Sequence, residues 1–490
     1  MWFRGRTVLS LMVLAAVAAG MTTYAALQYP GFMRMEQPSN EPAEALPEYG
    51  INEKELSKFN KAYELIRNRF LLPADRERLL DGAIQGMVES LNDPYSEYKP
   101  RNEAEAESDE LQGAFTGIGA YLSVAEGKIV VESIFRGSPA ERAGLLPKDV
   151  LLSVNGESLQ GLTLSEAVAK IRGPKGTKAK LHVKREAIAV PIDLELVRDR
   201  IDMVTVYSEF PEEGIGYLVI RKFGADTASR VAEEVDDLEK GELQALVIDL
   251  RDNPGGMVQT AELIASQFIP AGKPIVQYGY KDGTAQTIVS KEGLSQPKPY
   301  PIIVLVNQET ASAAEMLAGA LKVSAGASLI GERTYGKGLV QIPFDKELED
   351  GSLIKLTVSK WMLPDGSWVN ETGIVPDTEV KQPDYYGATQ LPRDTVLHFD
   401  QAGQLVANLQ AILEGVGFPA DRRDGYFSQA TKDALEAFQK QEELQVTGVV
   451  DAATAQRLEE ALYDRLQQKE NDAQWTAALA KARDLIDAGN

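Results

Sequence analysis

Apolar residues recur at helical spacing in "LSKFNKAYELIRNRFL" (56–71) and, beyond Pro73, in "RLLDGAIQGMVESL" (78–91). Both read as helices facing an apolar stripe. The period then shortens. "KIVVESI" and "DVLLSVNG" alternate or run apolar and end in turn residues, as strands do. "TLSEAVAKIRG" interrupts them as a short helix, with Thr163 and Glu166 spaced as a capping box. "KAKLHVKRE" closes this unit as a strand, which makes residues 112–187 a compact α+β module.

From about 200 to 380 the pattern changes again. "LQALVIDLRDNPGG" is an apolar strand ending in a glycine turn, followed by the helical "MVQTAELIASQF". "PIIVLVNQETASAAEMLAGALK" repeats the order strand, loop, helix. "SLIKLTVSKWML-PDG-SWV" predicts a hairpin turning at Asp365-Gly366. Buried strands alternating with helices imply a layered α/β core. Beyond a loop at 381–400, three amphipathic helices form a small all-α module. The tail "QQKENDAQWTAALAKARDLIDAGN" predicts a charged helix or frayed end.

The N-terminus adds a different element. Arg4 and Arg6 precede an uncharged run from Thr7 to Tyr29, which reads as an export signal or a membrane anchor. Residues 30–50 are rich in Pro and Glu and form a linker. The chain of 490 residues has a net charge of −22, no cysteine and two histidines, His182 and His398. That charge offers no basic stripe for nucleic acid. Absent cysteine excludes thiol chemistry and disulfides.

Ser312, in "NQETASAAEMLAGAL", follows an apolar strand and precedes a helix. Glu315 three positions on gives it a capping-box signature, so a plain helix cap is the local reading. The nucleophile reading needs a base, and neither histidine is well placed. A lysine serves if its pKa falls about 2–3 units from roughly 10.4, which desolvation can supply. Lys337, in "GERTYGKGLVQ", lies between Gly336 and Gly338, which permit close backbone approach. Gln341 stands four positions on and in a strand would share its face. Oxyanion donors are available from the amides of Gly256, in "RDNPGG", and Ala313, at the helix start. "GERTYGKG" also fits a phosphate-binding loop up to its last position, where Gly338 replaces the required Ser or Thr.

Taken together, "DLRDNPGG", "TASAAEMLAGAL" and "GERTYGKGLVQ" resemble the carboxy-terminal processing peptidases, the tail-specific proteases. The resemblance implies a Ser/Lys serine endopeptidase with Ser312 as nucleophile, Lys337 as general base and Gln341 orienting it. It assigns the oxyanion amides to Gly256 and Ala313 and implies no metal or cofactor. "FTGIGAYL" and "GSPAERAGLLPKDVLLSVNG" resemble a PDZ domain. The amides around Gly117, Ile118 and Gly119 would then receive a substrate's C-terminal carboxylate while its tail adds as a strand. Arg172 is the candidate for coupling that domain to the protease; its plain reading is a surface arginine at a helix end. Residues 403–463 resemble a peptidoglycan-binding domain, although relatives also use C-terminal helices for dimer contacts.

The implied architecture is a layered, crotonase-like α/β protease core with an inserted PDZ domain and small all-α modules at each end. Its parts are a signal or anchor (1–29), a linker (30–50), an N-terminal helical segment (51–105), PDZ (112–187), core (190–385), three-helix domain (401–463) and helical tail (464–490). The implied protein is extracytoplasmic, membrane-anchored or secreted to the envelope. Its partners would be proteins with exposed C-terminal tails, peptidoglycan and a second subunit. The competing class is a non-catalytic PDZ and cell-wall-binding scaffold.

Overall fold

A computed structural model describes residues 50–489, apart from 113, 126, 136, 186–189, 203, 292–293 and 394. The export or anchor segment and most of the linker lie outside the described residues. No helix among the described residues is long and apolar enough to cross a membrane.

The chain divides into two units, residues 1–80 and 81–490. In the first, helix Glu53–Arg69 starts at a capping box in which Asn52 and Glu55 bond each other's backbone. In the second, the sheet that carries the site has the strand order 206–212, 215–220, 245–249, 302–306, 328–331, 378–379. Its first pair is antiparallel and the rest parallel. Strands Ile215–Ile220, Ala245–Asp249 and Ile302–Val306 are buried along their whole length. Such strands need cover on both faces, and their alternating residues supply it. Leu218, Ile248 and Val304 face helices Thr227–Lys240, Val258–Ser266 and Ala313–Ala320. Tyr217, Val247 and Leu305 face Trp475, Ala478 and Ala482 of helix Ala473–Gly489. The tail expected as a charged helix or frayed end is therefore a helix that covers the core. Its small residues at helical spacing look unremarkable in sequence because the surface they fit is built elsewhere.

A second sheet centres on strand Leu353–Met362. One edge of it pairs with Leu339–Phe344, the other with Glu97–Lys99 and Pro274–Tyr280. This corrects two expectations. The segment 51–105 is not purely helical, because Glu97–Lys99 is a strand. The turn at Asp365-Gly366 forms, but "SWV" is not a strand: both edges of its intended partner are already occupied. Trp368 Nε1 instead donates to Gly338 O at 2.9 Å.

The PDZ-like sheet runs in the order 120–125, 128–134, 150–154, 178–184, 192–197 over its own core, which includes Ile118, Val131, Leu151 and Leu181. Its helix Leu164–Ile171 carries the Thr163/Glu166 capping box. Strand Ile192–Val197 follows the one expected to close the unit. A third core, around Leu409, Phe427, Phe438 and Leu458, unites helices Gln404–Gly415, Gln429–Gln441 and Ala452–Leu466.

Candidate active site

Ser312 is the N-cap of helix Ala313–Ala320, yet its backbone lies at φ 56°, ψ −118°. Ordinary caps use extended backbone, and Ser138, Thr163, Ser428 and Asp451 here all have φ between −65° and −87° with ψ of 161–179°. A non-glycine residue held at positive φ stores about 1–3 kcal/mol, which persists only where surroundings enforce it. A cap needs no such strain. A serine presented on a sharp strand-to-helix turn does, because the turn thrusts its side chain out of the layer.

The enforcing group is Glu315, which is fully buried. Its Oε2 accepts from the backbone N–H of Ser312 and of Lys337, each at 2.9 Å. Its Oε1 accepts from Gly336 N–H at 2.8 Å and Thr334 Oγ1 at 2.6 Å. One carboxylate oxygen thus ties the backbones of two residues 25 apart in sequence. Lys337 is fixed at its carbonyl as well, by Trp361 Nε1 at 2.8 Å. Gly336 has φ 91°, and a Cβ there would lie 2.8 Å from Gly373 N. The close approach expected of this loop is therefore real. The loop feeds a strand, whereas a phosphate-binding loop would open a helix.

The glycine turn reaches Ser312 from the neighbouring parallel strand. A Cβ on Gly255, at φ 100°, would lie 2.8 Å from Ala311 O and 3.0 Å from Ser312 Cβ. Asn253 fixes the turn by accepting from Gly255 N–H at 2.8 Å and donating to Ile220 O at 2.7 Å. Among the described residues, the N–H groups of Gly256 and Ala313 have no protein acceptor, whereas those of Gly255, Met257 and Ala314 do. Two free amides beside a strained serine suit a developing oxyanion. The whole arrangement sits at the carboxyl ends of adjacent parallel strands, where side chains of open α/β sheets converge.

Burial in this loop lowers the Lys337 pKa from its ordinary value, and the nearby Lys355 ammonium lowers it further. Glu97, Asp93 and Glu107 oppose both. Nζ stands 4.7 Å from the centroid of the Tyr95 ring. Among the described residues it makes no ion pair. Gln341 is placed differently from the expectation. Lys337 precedes the strand, and the register shifts between Val340 and Gln341, so a shared strand face does not apply. Gln341 Nε2 donates to Thr357 Oγ1 at 2.9 Å, and among the described residues its Oε1 accepts no hydrogen bond.

The PDZ residues take no part in these contacts. Gly119, at φ 80°, packs so tightly that a Cβ would meet Ser138 Cβ at 2.3 Å. Ala120–Ala125, directly after it, is an edge strand of its sheet and so offers unpaired backbone to an added strand. Gly117 ends strand Ala114–Gly117, paired to Asp199–Asp202, and Ile118 accepts from Ala140 N–H at 2.8 Å. Arg172 is the C-cap of helix Leu164–Ile171.

A model of peptidase family S41 matches residues 214–380, a PDZ model matches 130–185, and a peptidoglycan-binding model matches 402–458. A model of the activating protease CtpB N-terminal domain matches 15–102. The carboxy-terminal processing protease CtpB of Bacillus subtilis is 39% identical over 95% of this chain and 98% of its own. The chain belongs to the carboxy-terminal processing proteases. CtpA of the same organism is 39% identical over 87% of this chain and 90% of its own. A solved structure titled photosystem II D1 C-terminal processing protease aligns at TM-score 0.40 and 27% identity, over 66% of this chain and 86% of that one.

This processing protease is therefore a serine-type peptidase carrying PDZ and peptidoglycan-binding domains. Three residues at or behind the candidate site escaped sequence reasoning. Glu315 was visible only as half of a capping box. Tyr95 stands in "NDPYSEY", 217 positions before Ser312, a stretch that reads only as part of the N-terminal helical segment. Asp472 lies in the tail and accepts from Arg251 Nη1 at 3.0 and 2.7 Å, while Asp249 takes the rest of that guanidinium. Arg251 opens the glycine turn, so the tail helix braces it from behind.

Proposed function

We propose that this processing protease is an endopeptidase that recognises exposed C-terminal tails through its PDZ edge strand and cleaves nearby bonds at Ser312. The amine of Lys337 takes the Ser312 Oγ proton as Oγ attacks the peptide carbonyl. The Gly256 and Ala313 amides hold the resulting oxyanion. Collapse breaks the C–N bond, and the Lys337 ammonium returns its proton to the leaving amine. Water then cleaves the acyl-enzyme with Lys337 again as base, and Gln341 Oε1 orients the amine. The observation that carries this reading is the Glu315 carboxylate holding Ser312 in strained backbone against the Lys337 loop.

The same reading extends to the rest of the chain. It takes residues 1–29 as the export signal or anchor, places the protease in the cell envelope, and assigns 401–463 to peptidoglycan or a second subunit. It treats the core as crotonase-like and Arg172 as the PDZ coupling residue. The test is incubation of β-casein with wild type, Ser312→Ala and Lys337→Ala, followed by mass spectrometry. Wild type should yield fragments and both variants none. Fragments of equal abundance from Ser312→Ala would refute the nucleophile assignment.

A further inference from the structure

A general-base lysine meets two opposed demands. It must rest neutral, so no carboxylate can sit against it. It must also carry a full charge once it takes the serine proton, in a place from which water is largely excluded. A carboxylate in contact lowers the cost of the second state but raises the lysine pKa by about 1–3 units and so empties the first. An aromatic face is a weaker partner that attracts the ammonium and leaves the neutral amine almost untouched.

Resting on the Ser/Lys reading above, we infer that Tyr95 is a positioning residue of the protease, its ring face holding the Lys337 ammonium at the moment of proton transfer. Nζ lies 4.7 Å from the ring centroid, well inside the range of such contacts. The ring is held on several sides. Its hydroxyl lies near that of Tyr335, two residues before Lys337 in the same loop. Its backbone N–H donates to Asp93 Oδ1 at 3.2 Å, and Asp93 Oδ2 accepts from Ser96 Oγ at 2.6 Å. Ser96 Oγ accepts from Thr357 N–H at 3.1 Å, and Thr357 Oγ1 is the group that Gln341 donates to. The following strand, Glu97–Lys99, is pinned to Leu353–Met362. Residues 93–99 therefore stand beside Lys337 and are tied to strand Leu353–Met362, whose Thr357 also receives Gln341.

The charged groups around the amine fit this division of labour. Lys355 acts to lower the Lys337 pKa, while Glu97, Asp93 and Glu107 act to raise it. Glu97 and Glu107 are engaged by Lys355, at 3.3 and 2.8 Å, and Glu97 also by Lys99 at 3.2 Å. Asp93 is engaged by Ser96. The Tyr95 hydroxyl is itself pushed up to about 12 by burial and the neighbouring Tyr335, so it places no negative charge beside the lysine at working pH.

Tyr95→Leu keeps an apolar cover of similar size and removes the ring face, which separates the π contact from simple desolvation. We expect kcat on a quenched fluorescent peptide with a free apolar C-terminus to fall about 2- to 30-fold, with KM unchanged. The limb of the pH profile assigned to Lys337 should move to lower pH, because the neutral amine no longer competes with a stabilised ammonium. Tyr95→Phe, which keeps the ring, should restore both the limb and most of the rate. Circular dichroism and Tm confirm that each variant is folded. If folded Tyr95→Leu keeps the wild-type rate and limb, or if Tyr95→Phe is as impaired as Tyr95→Leu, the ring-face role is overturned. Ser312→Ala serves as the separate control: activity there refutes the Ser/Lys reading itself, whatever Tyr95 does.

Discussion

Replacing Glu315 tests whether one carboxylate assembles the site. It accepts four hydrogen bonds in a fully buried position, from Ser312, Lys337 and Gly336 N–H and from Thr334 Oγ1. Leaving a buried donor unpaired costs about 1–3 kcal/mol. Four of them, as in Glu315→Ala, would cost on the order of 4–12 kcal/mol, comparable to a whole domain's stability of about 5–15 kcal/mol. That variant would report only on folding. Glu315→Gln is the informative change. Its carbonyl can keep the Ser312 and Lys337 bonds, and the Thr334 hydroxyl can turn to accept from the new amide. Gly336 N–H cannot turn, so it faces a donor and costs about 1–3 kcal/mol, with charge assistance lost as well. The Lys337 loop should then shift by a fraction of an ångström. Because a misplacement near 1 Å costs roughly 100-fold in rate, kcat should fall by about 10- to 100-fold with KM little changed. The assay is steady-state cleavage of the quenched peptide well below the variant's Tm, with Tm measured in parallel. A folded Glu315→Gln enzyme with wild-type kcat would refute the positioning argument.

Four further outcomes follow from the same geometry. Because burial and Lys355 depress the Lys337 pKa, kcat/KM should rise with pH and level off below the ordinary lysine range. Lys355→Gln removes the repelling charge and leaves Glu97 and Glu107 less neutralised, so that rising limb should move to higher pH; an unmoved limb would discount the electrostatics. The depressed pKa also means that, at neutral pH, the unfolded chain holds this proton more tightly than the fold does. The resulting stability deficit is present below the folded pKa and disappears as pH rises through the ordinary lysine value. Lys337→Met should therefore be inactive yet melt higher than wild type near pH 7, and a lower Tm would contradict the sign. Asp472→Ala removes charge-assisted bonds to Arg251 while Asp249 still pairs it, so unfolding by urea should show a loss of about 1.5–3 kcal/mol, with reduced kcat from the loosened glycine turn. Gly255→Ala forces a Cβ to within 2.8 Å of Ala311 O at a positive φ, and casein cleavage should fall to background even where the protein folds.

The chain's local patterns by themselves determined most of the elements around the site. The apolar runs of 245–249 and 302–306, the glycines of "DNPGG" and "GERTYGKG", and the small residues after Ser312 each express a backbone demand that a short window can display. The scarcity of histidine leaves Lys337 as the candidate base for the same reason, since it concerns residue type alone. Tertiary structure decided the rest. That Glu315 serves the Lys337 loop as well as capping its own helix follows from the parallel pairing of 302–306 with 328–331, which brings position 337 back to position 312. That "SWV" forms no strand follows from the filled edges of 353–362. Tyr95 and Asp472 come near the candidate site because Glu97–Lys99 docks on one sheet and Ala473–Gly489 covers the other. Spacing rules describe neighbours along a helix or strand, and these contacts are made between elements whose separation in sequence carries no period.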